Sequence, residues 1–175
     1  MNITLRIPDE HDKYEYLDFY NECTKSVKNL HINGTHTLVN LDYSQWLSTV
    51  KQYIIDPPKG RVKCTQFIAA NGEGRIIGTI QLRHELTDHL RIEGGHIGYT
   101  VRPSERRKGY ATRMLLLCLK EAKKLRINRI LITCSNDNLA SEKTILHNGG
   151  VYKKLVTLEN GTIKKHYWID LSPKG

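Results

Sequence analysis

The chain has no long apolar run. Nothing in it approaches the roughly 20 consecutive apolar residues a membrane span needs, and Met1-Asn2-Ile3-Thr4-Leu5-Arg6 lacks the apolar segment of a signal peptide. Cysteine is sparse. Cys23, Cys64, Cys118 and Cys134 show neither metal-like nor redox-like spacing, so they read as reduced thiols of a cytoplasmic protein. No Gly-x-x-x-x-Gly-Lys-Ser/Thr or Gly-x-Gly-x-x-Gly follows a strand-like run, which disfavours a kinase or a dinucleotide enzyme. Internal repeats and low-complexity stretches are missing, and no metal is expected. The 175 residues, 39% hydrophobic and 26% charged, predict a single globular domain spanning 1–175. At this size roughly 70% of the unfolded chain's surface can be buried.

Charge is present in excess and unevenly. Residues 1–100 hold 11 Lys/Arg against 12 Asp/Glu, and residues 101–175 hold 16 against 6, so the net +9 arises entirely in the second part. A polyanionic ligand fits that imbalance, as does a solvated basic surface. Nucleic acid is disfavoured as a partner, because no basic motif interleaved with aromatics is present.

Periodicity predicts the elements. Residues 2–7 read as a strand and 9–22 as a helix with acids in its first turn. Residues 24–41 are irregular, with a turn signal at Asn33-Gly34. Asp42 or Ser44 can cap a helix whose Trp46, Leu47, Val50, Tyr53 and Ile54 form one stripe. Strands at 62–70 and 75–85 flank the turn Asn71-Gly72-Glu73-Gly74. A polar connection over 86–93 leads to a strand at 95–101. A helix follows over 110–125, with Met114, Leu115, Cys118, Leu119, Ala122 and Leu125 on one face. An apolar strand at 128–134 precedes a short helix at 139–147, and a last hairpin pairs 151–158 with 162–171 across Asn160-Gly161.

Between the strand at 95–101 and the helix at 110–125 stands Arg106-Arg107-Lys108-Gly109-Tyr110-Ala111-Thr112. A helix start presents unpaired backbone N–H groups and the positive end of the helix dipole. Gly109 lets the main chain approach an anion closely, and Arg106, Arg107 and Lys108 add mobile positive charge. The expected ligand is a pyrophosphate. Arg106-x-x-Gly109-x-Ala111, in this context, resembles the Gln/Arg-x-x-Gly-x-Gly/Ala signature of the GNAT superfamily of N-acetyltransferases, and the order of elements agrees along nearly the whole chain.

The resemblance implies an α+β fold: a mixed, mostly antiparallel twisted sheet of about seven strands and about four helices, splayed between 95–101 and 129–134. It implies acetyl-CoA as co-substrate, its pantetheine arm pairing with the strand that contains Tyr99, Thr100 and Val101. The reaction implied is direct attack by a primary amine on the acetyl thioester in a ternary complex. A small-molecule acceptor is expected first, and a protein N-terminus, a lysine or a non-catalytic CoA-binding role second. The N-terminal helices, 24–41 and 84–95 are expected around the acceptor. Asn138 matches a position that contacts the cofactor arm, with Ser141 and Lys143 as further contacts. Asn138, Ser141 and Gly149 fit the family's helix pattern, but Ile145 stands where relatives place an acidic tyrosine. His96, whose ordinary pKa suits a base near neutrality, and Glu93 just before it are the candidates for proton transfer, against structural roles for both. The chain is expected as a monomer or homodimer.

Overall fold

The computed structural model describes residues 2–26, 32 and 41–172. Along them run β1 (Ile3–Arg6), α1 (Lys13–Ser26), α2 (Tyr43–Ile55), β2 (Cys64–Asn71), β3 (Ile76–Arg83), α3 (Asp88–Ile92) and β4 (Ile97–Val101). Then come α4 (Tyr110–Lys124), β5 (Arg129–Ser135), α5 (Leu139–His147), β6 (Val151–Thr157) and β7 (Ile163–Asp170). The strands form two antiparallel sheets, in the orders β1-β2-β3-β4 and β5-β7-β6. The mixed α+β architecture is the expected one. The predicted splay is present as the break between β4 and β5, which share one isolated bridge, Gly95 to Ile132.

Local chemistry explains most boundaries. Asp42, not Ser44, caps α2: its Oδ1 accepts the Gln45 N–H at 2.8 Å while its own N–H reaches Gln45 Oε1 at 3.2 Å. Asn71 folds the β2–β3 turn by accepting the N–H groups of Glu73 and Arg75. The helix predicted over 9–22 starts later, because Asp9 caps a 3-10 turn over Glu10–Asp12 that Arg6 ties down through Asp12. It also runs on to Ser26. The connection predicted over 86–93 holds a short helix instead, α3, capped by Thr87 Oγ1 on the Leu90 N–H at 3.2 Å. The Asn33-Gly34 turn signal and most of the irregular 24–41 stretch lie outside the described residues.

Successive strand residues face opposite sides of a sheet, but the β2–β3 register slips where Ala69 pairs with Gly78 and Ala70 with Ile76, so Ile77 shares its cluster with Ile80 and Leu82. Ile77 joins Met114, Leu115, Cys118 and Ala122 of α4 in one buried cluster. Ile76, of opposite parity, joins Tyr16 and Phe19 of α1 and Tyr43, Trp46 and Leu47 of α2 in the other. The second cluster is aromatic, with the Tyr16 and Trp46 rings 4.3 Å apart.

Among the described residues, one charged side chain is fully enclosed. Arg102, which directly follows β4, is 0% exposed. Its Nε donates to Ile76 O at 2.7 Å, Nη1 to Asp18 at 2.6 Å and Nη2 to Glu15 Oε1 at 2.7 Å. Nη1 also reaches Glu22 at 3.3 Å, and Glu22 accepts the Ser104 N–H at 2.7 Å. Arg102 thus fixes three carboxylates of α1 against the end of β4. Its side-chain bond holds Asp18 below its ordinary pKa of 3.8. Burial opposes ionisation of Glu22, but Ser104 and Arg102 outweigh it and hold Glu22 below 4.5.

Carboxylates with depressed folded pKa values stabilise above their ordinary pKa and lose that contribution as pH falls. Arg102→Met is therefore expected to cost about 3 kcal/mol at pH 7. In urea titrations the gap between the two proteins should narrow below about pH 4. An unchanged gap at low pH would show that the carboxylates contribute nothing.

Candidate active site

Between the two sheets lies a cleft of about 750 Å³. One wall is β4, the other is the end of β5 with the first turns of α5, and the loop into α4 closes one end. Its apex is the Gly95–Ile132 bridge. Gly95 has φ +63, and a Cβ there would stand 2.5 Å from Leu131 O. The glycine is thus required both for the backbone turn and for the close approach.

His96 completes the joint. Its N–H donates to Leu131 O at 2.7 Å, and its Nδ1 accepts the Leu131 N–H at 2.9 Å. The imidazole stands in for a missing backbone carbonyl and splints β4 to β5. Because Nδ1 accepts, the neutral ring has its proton on Nε2. Burial, with Arg91 adding to it, pushes His96 down to about 4. His96 lies outside the cleft wall, as does Glu93, which follows α3 and faces Lys164 at 3.6 Å.

Among the described residues, beyond the apex β4 pairs as a strand with β3 alone. The bonds Arg83 N–H to His96 O and Arg102 N–H to Ile77 O set the alternation. The backbone groups of Ile97, Tyr99 and Val101 therefore face the cleft. Arg106 Nε reaches Val101 O on that side at 3.4 Å. This edge is suited to pairing with an extended amide-bearing chain.

The phosphate end is built from main chain. Gly109 caps α4 with φ +78, no side chain caps the helix, and its first turn holds no acid. The helical bonds begin with Arg113 N–H to Gly109 O at 3.2 Å. The N–H groups of Tyr110, Ala111 and Thr112 thus have no acceptor within the helix, and all three residues line the cleft. Arg106 and Arg107 line it too, Arg107 with φ +60. Glu105 also does, its charge matched by Lys108 at 2.9 Å and Arg75 at 3.6 Å. This donor set fits a pyrophosphate.

On the opposite wall Asn138 caps α5, its Oδ1 accepting the Ser141 N–H at 3.0 Å. Tyr99 crosses from β4 and places its hydroxyl 2.8 Å from Ser141 Oγ. Burial pushes the Tyr99 phenol up to about 12. Ile145 is packed in the core. The structure brings Tyr99, Thr100, Val101, Arg106, Arg107, Gly109, Tyr110, Ala111, Thr112, Asn138 and Ser141 to the cleft. It leaves out Lys108, occupied with Glu105, and Lys143, which is exposed. Thr133, Cys134, Ser135 and Lys164 line the cleft without having been singled out in the sequence. Among the described residues, no three His, Cys, Asp or Glu side chains converge as a metal site needs.

The sequence matches the acetyltransferase (GNAT) domain family over residues 2–151. Comparison with curated proteins gives no match. Among solved structures, a ribosomal-protein-S5-alanine acetyltransferase from Vibrio fischeri is 16% identical. It covers 97% of this chain and 93% of its own, with a TM-score of 0.73. A microcin C7 self-immunity acetyltransferase, solved with acetyl-CoA and AMP, is 20% identical over 96% of this chain and 92% of its own, with a TM-score of 0.68. A spermidine/spermine N-acetyltransferase from Vibrio cholerae is 16% identical over 97% and 95%, with a TM-score of 0.65. At these identities the likeness is one of fold. The family match spans most of the chain, so the chain belongs to the GNAT acetyltransferases. It is an acyl-CoA-dependent N-acetyltransferase, and acetyl-CoA is its co-substrate.

The His96 splint has a pH consequence. Below about pH 6.5 the unfolded chain takes up a proton that the folded ring refuses until about pH 4, so stability falls as pH falls through that window. The loss at stake is on the order of 3 kcal/mol. His96→Gln keeps an acceptor without the titration, and denaturation between pH 7 and pH 4 should then lose less stability than in the wild type.

Proposed function

We propose that this chain is one cytoplasmic acetyltransferase domain that acetylates the primary amine of a small molecule by direct attack in a ternary complex. The observation that supports it is the cleft itself: a main-chain anion cradle at one end, a strand edge along one wall, and a narrow apex at the other end. Bound acetyl-CoA supplies the activated acetyl thioester. Gly109 and the N–H groups of residues 110–112, with Arg106 and Arg107, hold the pyrophosphate. The edge formed by Ile97, Tyr99 and Val101 pairs with the arm, and a backbone N–H of that edge stabilises negative charge on the carbonyl oxygen.

The amine attacks as a neutral nucleophile, so its ammonium proton must first be accepted. Of the two residues considered for this, geometry favours Glu93, which is partly exposed and beside the apex. His96 has its Nδ1 lone pair engaged by Leu131. The amine nitrogen bonds to the acetyl carbon as the carbon–sulfur bond breaks. The leaving thiolate takes a proton, and the new amide loses one. With Ile145 in the core, the hydroxyl we assign as donor to the thiolate is Tyr99, across the cleft. The other cleft tyrosine, Tyr110, stands at the phosphate end. The four free cysteines are all buried, in keeping with a reducing compartment. Among the described residues no helix is long and apolar enough to cross a membrane.

Calorimetric titration of acetyl-CoA into wild-type protein and Gly109→Glu tests the reading. Wild-type binding in the micromolar range, lost in a variant that still folds, is expected, because the new carboxylate would occupy the phosphate cradle. A wild-type protein that binds no acetyl-CoA would sink it.

A further inference from the structure

The second sheet has two chemically different faces. On β7, Lys165 Nζ and Tyr167 Oη both donate to Glu142 of α5, at 2.7 and 2.5 Å. Residues of the other parity therefore face away from α5. They are Lys164, His166 and Trp168, paired across the ladder with Ser135, Thr133 and Leu131. On this side His166 Nε2 meets Ile92 O at 2.9 Å, and Trp168 lies edge-on to His96 with ring centres 6.4 Å apart. The second face thus lies against α3 and the segment leading into β4. The phosphate cradle belongs to α4, which packs on the α5 side. Lys164 lines the cleft from this face, next to Ser135 at the end of β5.

Lys164 and Lys165 are equally enclosed, each with its side chain 18% exposed, and of the two Lys164 lines the cleft. Ser135 Oγ takes one of its three donors at 3.3 Å. Glu93 Oε1 lies at 3.6 Å, an ion-pair distance but too long for a good hydrogen bond. A partly buried ammonium and a carboxylate thus stand side by side at the apex without closing on each other. A molecule of opposite polarity can bridge them, with its ammonium against Glu93 and an anion against Lys164.

The surroundings favour the anion over a second cation. Arg83 Nη1 donates to Gly94 O and Gly95 O at the apex. Arg91 and Lys154 stand close enough to His96 and His166, respectively, to oppose their protonation. A cationic far end would meet like charge.

We propose, on the footing of the acetyltransferase reading above, that the acceptor is a small amine bearing an anionic group a few bonds away. Lys164 binds the carboxylate or phosphonate, and Glu93 binds the ammonium and takes its proton. β7 lies beyond the stretch that matches the family, which ends at residue 151.

The test is a charge-matched series: 3-aminopropanoate, 2-aminoethylphosphonate, propylamine and 1,3-diaminopropane, each with acetyl-CoA and purified protein. At least one anionic member should exceed propylamine by about tenfold in kcat/KM, with the diamine poorest. The better anionic amine tells carboxylate from phosphonate. Lys164→Met should erase the anionic advantage through KM, and Lys164→Arg should retain most of it. A merely structural lysine would lower all four rates alike. Equal or better use of propylamine or the diamine overturns the assignment. So does absence of transfer to both anionic members, or a preference unmoved by Lys164→Met. In those cases acetyl-CoA binding by calorimetry, with transfer to any amine of the series, still upholds the transferase, whereas loss of that binding as well removes both.

Discussion

The cleft depends on one joint. Two sheets that could have formed a continuous ladder touch at Gly95–Ile132 and then part. A splay of this kind must be held firmly at its apex, because an unbroken ladder would fill it and a loose one would let the walls drift. His96 meets the first requirement by using a ring nitrogen where a carbonyl would otherwise sit. Gly95 meets the second by letting Leu131 O come closer than any side chain allows. Neither residue lines the cleft, yet the width of the cleft is set where they stand. Burial and backbone geometry at the apex therefore define where an acyl chain could run.

From that joint the molecule assigns different work to main chain and side chain. The anion cradle is a helix start left uncapped, and its specificity for phosphate comes from geometry shared by every residue type. The wall opposite β4 is side-chain built: Asn138 is spent on a cap and Ser141 on the Tyr99 hydroxyl. A donor site made of backbone tolerates extensive sequence change.

The same division explains what could be read from the sequence. The phosphate loop was legible because its signals are local: a strand, a glycine and a helix start within a dozen residues. Capped starts such as Asp42, and the last two hairpins, were legible for the same reason. Arg102 was not legible. Its partners Glu15, Asp18 and Glu22 lie 80 or more residues earlier, and no pattern announces that a charge will be enclosed. The ordinary pKa of His96 said nothing of the burial that moves it. Lys164 became visible only once the register of β5 on β7 had set it beside Ser135. The helix α3 escaped because five residues are too few for periodicity to register.

Arg102 has one further effect. Through Glu22 it joins the flank of α1 to Ser104, in the short turn that precedes the anion cradle. The helix and the loop therefore share one guanidinium as a common anchor, and a ligand that tightened the loop would stiffen α1 through it. Hydrogen exchange along α1 would then serve as a remote gauge of whether the cradle is filled.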